Sequence, residues 1–380
     1  MQTSRRSTSF PNGASEDWRH LDTPSLLVDL DRLERNVDSM ASRAMQAGVA
    51  LRPHFKTHKS TMIARMQAAA GSTGFTVSKL DEAAVLFEAG MNDVLVATQI
   101  VAPPKIRRAV ELTRRGRLIL AVDGMAGATA LSRAAIDAGV VFEVSLEIDS
   151  GLARCGVLPT ETGGLADQIA TLGGLSLTGA FTHGGHIYGA ASEKELAAAS
   201  DSELNAMVAA DTHIATPKPA GWHLSVGSTP GALCRTRFPG ITEIRPGNYV
   251  FCDAIQVSLG VATVADCALT VAATVMSRPS PDRAVIDAGA KSLGLDMGVH
   301  GSSVITDYGT LVGVEGRLIR LSEEHGVLQI PTNWGVEVGE RVRVLPNHAC
   351  SVANLHARYF GLRGNVVERE FAIDAAQGVH

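Results

Sequence analysis

Long apolar runs are missing from this sequence. Nothing approaches the ~18 continuous apolar residues that a membrane-crossing helix needs, so no membrane partner is expected. Cysteine is sparse as well. Cys155, Cys234, Cys252, Cys267 and Cys350 are odd in number, widely spread and free of any C-x-x-C pair. That excludes a disulfide framework and points to a reducing compartment, the cytoplasm. Like-charge blocks are absent beyond the first few residues and the net charge is only −5, so no nucleic-acid surface is expected. The opening Met-Gln-Thr-Ser-Arg-Arg carries positive charge with no apolar core behind it. It reads as a loose tail over 1–18 and not as a secretory signal. Aromatic side chains are scarce at 4%, the hydrophobic fraction is ordinary, and 380 residues suffice for two domains or for one barrel with an appendage.

What is present is a repeating alternation. Ser25–Leu30 is a compact apolar run, followed by Leu33, Val37, Met40 and Ala44 at helical spacing, with Asp31 as the expected N-cap and Gly48 as the stop. The cycle recurs with apolar runs at Gly74–Val77, Asp93–Ala97, Leu118–Val122, Phe142–Ile148, Leu177–Phe181, His223–Val226 and Thr242–Arg245, most of them followed by a helical pattern. Short buried strands alternating with amphipathic helices imply parallel pairing with right-handed crossovers. About eight such units match a closed (β/α)8 TIM-like barrel over 19–255. From about residue 256 the texture changes to β-like runs separated by Gly, Pro and Asn turns, among them Ala268–Val275, Arg283–Ile286, Leu311–Leu321, Val327–Ile330, Glu340–Leu345 and Val366–Ile373. A C-terminal β-domain over 256–380 is expected.

The chemistry concentrates in short segments. Residues 50–60 run from an apolar strand into a basic, imidazole-rich turn holding His54, Lys56, His58 and Lys59. Composition alone also fits a solvated basic turn. A lysine at the C-terminal end of a barrel strand can instead point into a shared cavity, lose its proton and act as the nucleophile of Schiff-base chemistry. Glu147–Gly156 ends a strand with acid, glycines and Arg154, and Thr182–Gly189 sets His183, His186 and Tyr188 at the next strand's mouth. Ser225–Gly231 carries Gly227, Ser228 and Thr229, small residues that let amides and hydroxyls approach an anion, although no Walker or dinucleotide fingerprint is present. His348 and Cys350, two apart on an expected strand, project to the same side and can share one ion.

Arg52-Pro53-His54-Phe55-Lys56-Thr57-His58-Lys59 resembles the lysine segment of the D-threonine aldolase and D-serine dehydratase family, alanine-racemase-like (fold-type III) pyridoxal-phosphate enzymes. The resemblance spans about residues 22–370 and implies a barrel followed by a β-domain. It implies pyridoxal 5'-phosphate held on Lys56, with Lys59 second in line. It places Arg154 at the cofactor's phenolic oxygen, Tyr188 beside its ring, and His183 near the substrate. His54 belongs to the same basic segment. The Gly-Ser-Thr-Pro stretch with Gly227, Ser228 and Thr229 is implied as the phosphate cup, completed by Arg245, Gly247 and Tyr249. His348 and Cys350 align with the family's divalent-metal pair, Zn2+ or Mn2+. His325 sits in a family-like motif whose role the resemblance does not assign.

The implied function is a lyase acting on small D-3-hydroxy amino acids. One outcome is D-threonine aldolase chemistry, retro-aldol cleavage to glycine and an aldehyde. The alternative is D-serine or D-threo-3-hydroxyaspartate dehydratase chemistry, β-elimination to a keto acid and ammonia; a third reading is a pyridoxal-phosphate-binding protein without turnover. Ala273–Arg283 and Asp287–Ser292 look like the aldolase branch, whereas Gly227–Pro230 and a cysteine as second metal ligand look more like the dehydratases. The resemblance also implies a homodimer.

Overall fold

The computed structural model describes residues 16–298, 304–376, 378 and 380. Parallel strands form one sheet in the order Ala50–Leu51, Glu243–Ile244, His223–Val226, Leu175–Thr182, Phe142–Ile148, Arg117–Val122, Asp93–Gln99 and Phe75–Val77. A parallel bridge from His54 to Thr76 joins the two outer strands and closes the ring. Side chains alternate along each strand, and the two faces have different neighbours. Val94, Val96, Leu118 and Leu120 pack into the large cluster shared with the helices, whereas Leu95, Ile119, Ala121 and Phe181 form a separate cluster within the ring. This is the expected (β/α)8 barrel.

The second sheet is almost wholly antiparallel. Leu269–Ser280, Arg283–Ile286, Gly326–Gln329, Arg317–Leu321, Gly309–Leu311 and Arg341–Pro346 follow one another, and the last pairs back with the first to close a smaller barrel. The run expected as one strand over Leu311–Leu321 is two strands here, Gly309–Leu311 and Arg317–Leu321.

Three expectations change at the N-terminal end. The Ser25–Leu30 run does form a strand, Ser25–Asp29, but it lies in the β-domain's sheet, antiparallel to Leu269–Ser280 and parallel to Arg358–Arg363. A short run buried on both faces reads alike in either sheet, so its partners decide. The helix Leu30–Ala47 is capped by Asp29, whose side chain accepts from Arg32 N, and not by Asp31; Gly48 ends it in the left-handed region at φ 69°. Most of the tail expected over 1–18 lies outside the described residues. Its last residues are built in: Glu16 and Asp17 pair with Val367 and Val366, and Trp18 is buried.

Candidate active site

A cavity of about 880 Å³ opens where the barrel's strand ends meet the β-domain segment around His348–Asn354. It is lined by His54, Lys56, Arg154, His183, Tyr188, Gly227, Ser228, Thr229, Arg245, Gly247, His348 and Cys350, so nearly all the residues singled out in the sequence converge on it. Tyr249 does not. It is 2% exposed, away from the cavity, and its hydroxyl accepts from Gln67 Nε2 at 2.9 Å. Through Gln67, which also bonds His58, the Tyr249 side chain packs beneath the lysine turn. His325 lies in an exposed turn where Ser322 N donates to its carbonyl.

The lysine turn is set from below. Phe55 is fully buried and anchors a short 3-10 turn over Phe55–Thr57, whose cap His54 accepts from Lys56 N through its side chain. His58 Nε2 pairs with Gln67 Oε1 at 3.2 Å while its Nδ1 accepts from Ser60 N, and burial pushes its pKa down to about 3. It is a structural histidine. Lys59 also lines the cavity, but its amine is held there: Nζ donates to Asn354 Oδ1 at 2.7 Å and lies 3.5 Å from Glu82 Oε1. Lys56 faces the same cavity. Burial lowers its pKa, Cys350 opposes the shift, and Arg154 adds to it. A proton is thus easier to remove from Lys56 than from an ordinary lysine. Burial followed by the Lys56 charge holds His54 well below the usual imidazole range, so that ring is neutral.

Arg245 is the cation at the centre of the barrel mouth. Nε donates to Ser225 Oγ at 2.8 Å, Nη2 donates to Thr182 O, and the guanidinium lies 4.9 Å from the Phe181 ring centroid. It packs under Gly227 so closely that a Cβ there would meet Nη1 at 2.9 Å. Gly247 is equally tight against the lysine turn, a Cβ meeting Thr57 Oγ1 at 2.7 Å. Ser228 Oγ accepts from Gly231 N at 3.1 Å, while the buried Thr229 Oγ1 has no hydrogen-bond partner. An unpaired buried hydroxyl beside small residues and cations suits an anion such as a phosphate.

On the neighbouring strands, Arg154 Nη2 lies 3.6 Å from Glu147 Oε1, and Glu147 also accepts from Gln99 Nε2. Burial raises the Glu147 carboxyl's pKa, opposed by Gln99 and Arg154. Asp123, Glu147 and Cys155 bring donor atoms within 4.8 Å of one another, but Glu147 is already held by Gln99 and Arg154 without an ion. His183 Nδ1 donates to Gly227 O at 2.6 Å, so in the neutral ring Nε2 is the acceptor atom. Burial raises the Tyr188 phenol, which touches Gln256 and the Thr229 amide, above its ordinary value.

His348 and Cys350 reach the cavity by a route the sequence did not show. The strand Arg341–Pro346 has ended; His348 caps the helix Ala349–Leu355 and Cys350 lies in its first turn. The shared direction comes from the turn and not from strand alternation. Cys350 Sγ sits 3.3 Å from Thr57 Oγ1 and bonds the His348 ring, whose Nδ1 donates to Asp296 Oδ2 at 2.7 Å. Burial opposes ionisation of both, yet the two groups charge each other, raising the histidine and lowering the thiol. A thiol whose ionisation is favoured, beside an imidazole whose other nitrogen is anchored to a carboxylate, is the donor chemistry of a divalent-metal site. Asp253, fully buried behind it, accepts from Ala349 N at 2.9 Å and from Asn248 Nδ2, holding the helix start in place. Sequence reasoning missed Asp253, Asp296, Gln99 and Glu82. Only Asp253 had a local signal, as the N-cap of Ala254–Ser258.

Comparisons with known proteins agree with this geometry. The family described as alanine racemase, N-terminal domain, matches residues 28–254, and the family described as putative serine dehydratase domain matches residues 268–362. D-threo-3-hydroxyaspartate dehydratase of Delftia sp. (strain HT23) is 38% identical over 362 residues, covering 90% of this chain and 94% of that protein. D-threonine aldolase of Arthrobacter sp is 30% identical over 380 residues, covering 96% of this chain and 95% of that protein. The solved structure of the Delftia dehydratase superposes with a TM-score of 0.86 at 34% identity, covering 94% of this chain and 98% of that one. The chain belongs to the D-threonine aldolase and D-serine dehydratase family of alanine-racemase-like lyases, which use pyridoxal phosphate and a divalent metal.

Proposed function

We propose that the cavity binds a D-3-hydroxy amino acid and breaks its Cα–Cβ bond, releasing glycine and an aldehyde. The observation that supports this best is that Lys56 and the His348–Cys350 pair, far apart in sequence, line one cavity. Lys56 would hold pyridoxal phosphate, with Arg154, Tyr188 and His54 around its ring and Gly227, Ser228, Thr229, Arg245 and Gly247 around its phosphate. When bound, the cofactor supplies an electron sink for the carbanion left at Cα. His348 and Cys350 would hold the divalent ion, Zn2+ or Mn2+, which supplies positive charge for the substrate's β-oxygen. His183 presents Nε2 as proton acceptor, its ring held by the bond to Gly227 O.

A second reading, elimination of the β-hydroxyl to give a keto acid and ammonia, is favoured by Cys350. A solved D-threo-3-hydroxyaspartate dehydratase in which a cysteine is replaced by alanine is in the metal-free form, and superposes on this chain with a TM-score of 0.87. In that outcome Lys56, with its proton easily removed, takes the Cα proton. Incubation with D-threonine, D-serine and D-3-hydroxyaspartate separates the two. Aldehyde with glycine supports cleavage, keto acid with ammonia supports elimination, and no turnover of any of them rejects both.

The proposed catalytic unit divides into a barrel over 19–255 and a β-domain over 256–380, with Ser25–Asp29 crossing into the β-domain's sheet. The protein works as a cytoplasmic homodimer, the partner closing the open side of the cavity. Free thiols at all the cysteine positions fit a reducing compartment, and no helix among the described residues is long and apolar enough to cross a membrane. An active monomer in sedimentation would count against the dimer.

A further inference from the structure

Glu203 is an acid in an unusual place. It is 1% exposed on the helix Glu193–His213, where it shares the buried face with Leu196, Leu204, Met207 and Ala210. Acids are almost never buried this fully without partners. Its partners are the backbone amides of two different loops: Gly227 N donates to Oε1 at 3.4 Å, and Gly184 N donates as well. Gly184 follows the barrel strand Leu175–Thr182, and Gly227 follows His223–Val226. His183 Nδ1 crosses between the same loops to Gly227 O. The fit is close on every side. A Cβ at Gly184 would meet Oε1 at 2.4 Å, and one at Gly231 would meet Oε2 at 3.3 Å.

We propose that Glu203 is a positioning residue for the phosphate-facing wall of the cavity, clamping the Gly184 and Gly227 loops together from behind so that Ser228 and Thr229 stand correctly for an anion. This rests on the proposed placement of the cofactor's phosphate at Gly227–Thr229. The clamp needs acceptor oxygen and not charge. Burial pushes the Glu203 carboxyl up to about 7, with Arg245 opposing, and a carbonyl oxygen accepts from both amides whether or not the acid is ionised. Glutamine should therefore substitute, and leucine should not.

The test compares pyridoxal phosphate with pyridoxal, which lacks the phosphate, by measuring the dissociation constant of each for the full-length protein. Glu203→Leu should weaken pyridoxal phosphate by about tenfold or more, the scale of leaving a buried amide without a partner, and leave pyridoxal within about twofold. Glu203→Gln should restore the preference for the phosphorylated form. Gly184→Ala, whose new methyl displaces the carboxyl without a positive φ, should repeat the selective loss should Glu203→Leu fail to fold. Equal weakening of both ligands would mean a general structural role and overturn the proposal, as would no change in either. A wild-type protein that shows no preference for the phosphorylated form would instead reject the cofactor reading beneath it.

Discussion

Cys350→Ala removes one atom at the point where the two halves of the site meet. Sγ bonds the His348 ring, lies 3.3 Å from Thr57 Oγ1 and 3.7 Å from Asn248 Nδ2, and faces the cavity. The fold loses little, because no apolar core atom goes. The ion loses its anionic ligand, and His348 alone, though still oriented by Asp296, is a poor divalent site. The phosphate-facing residues keep their contacts, Arg245 with Ser225 and Thr182, while Lys56 loses only the Cys350 charge that opposed the lowering of its pKa. Removing one electrostatic stabiliser from a transition state costs about 10²-fold or more in turnover, about 2.7 kcal/mol. The expected result is a protein with the cofactor's visible absorbance intact, metal content reduced, and turnover down by about that factor. Cys350→Asp should recover part of the activity, since a carboxylate restores an anionic ligand. Wild-type enzyme treated with EDTA that still turns over at its untreated rate would refute the reasoning, because the pair would then have no catalytic ion to hold.

Two other outcomes follow from packing and charge. Gly247→Ala sets a methyl 2.7 Å from Thr57 Oγ1 and 3.0 Å from His54 Cβ, so it should cost about 1–3 kcal/mol in urea unfolding and weaken cofactor binding by shifting the lysine turn. Glu243 is buried with Arg52 Nε at 2.7 Å, and although burial raises its pKa, Arg52 more than compensates and holds it below the usual carboxylate range. Its contribution to stability is therefore present above the unfolded carboxylate value and lost as pH falls through the lower folded value. Arg52→Met leaves that charge in the interior without its cation, held by the Ser225 hydroxyl, and should cost about 3–5 kcal/mol at neutral pH, with a smaller deficit in acid where Glu243 is protonated; a deficit independent of pH would contradict this.

The parts of the site that were legible in the sequence are contiguous. Lys56, Arg154, His183 and Gly227–Thr229 each follow a barrel strand within a few residues, so strand periodicity places them at one rim. What was hidden depends on contacts between distant segments. Asp296 becomes meaningful only when its loop folds against His348, and Glu203 only when its helix packs behind two loops. Tyr249 misled because the turn after Gly247 carries its side chain inward to Gln67. Ser25–Asp29 misled because its apolar pattern is the same for a barrel strand and for a strand between Leu269–Ser280 and Arg358–Arg363.

Catalysis as proposed requires that Lys56, and not the neighbouring Lys59, is the amine that holds the cofactor. Borohydride fixation of bound pyridoxal phosphate followed by peptide mapping tests it directly. The label is expected on Lys56 and absent in Lys56→Ala, because Lys59 is tied to Asn354 and Glu82. A label on Lys59 or on any other residue would contradict it.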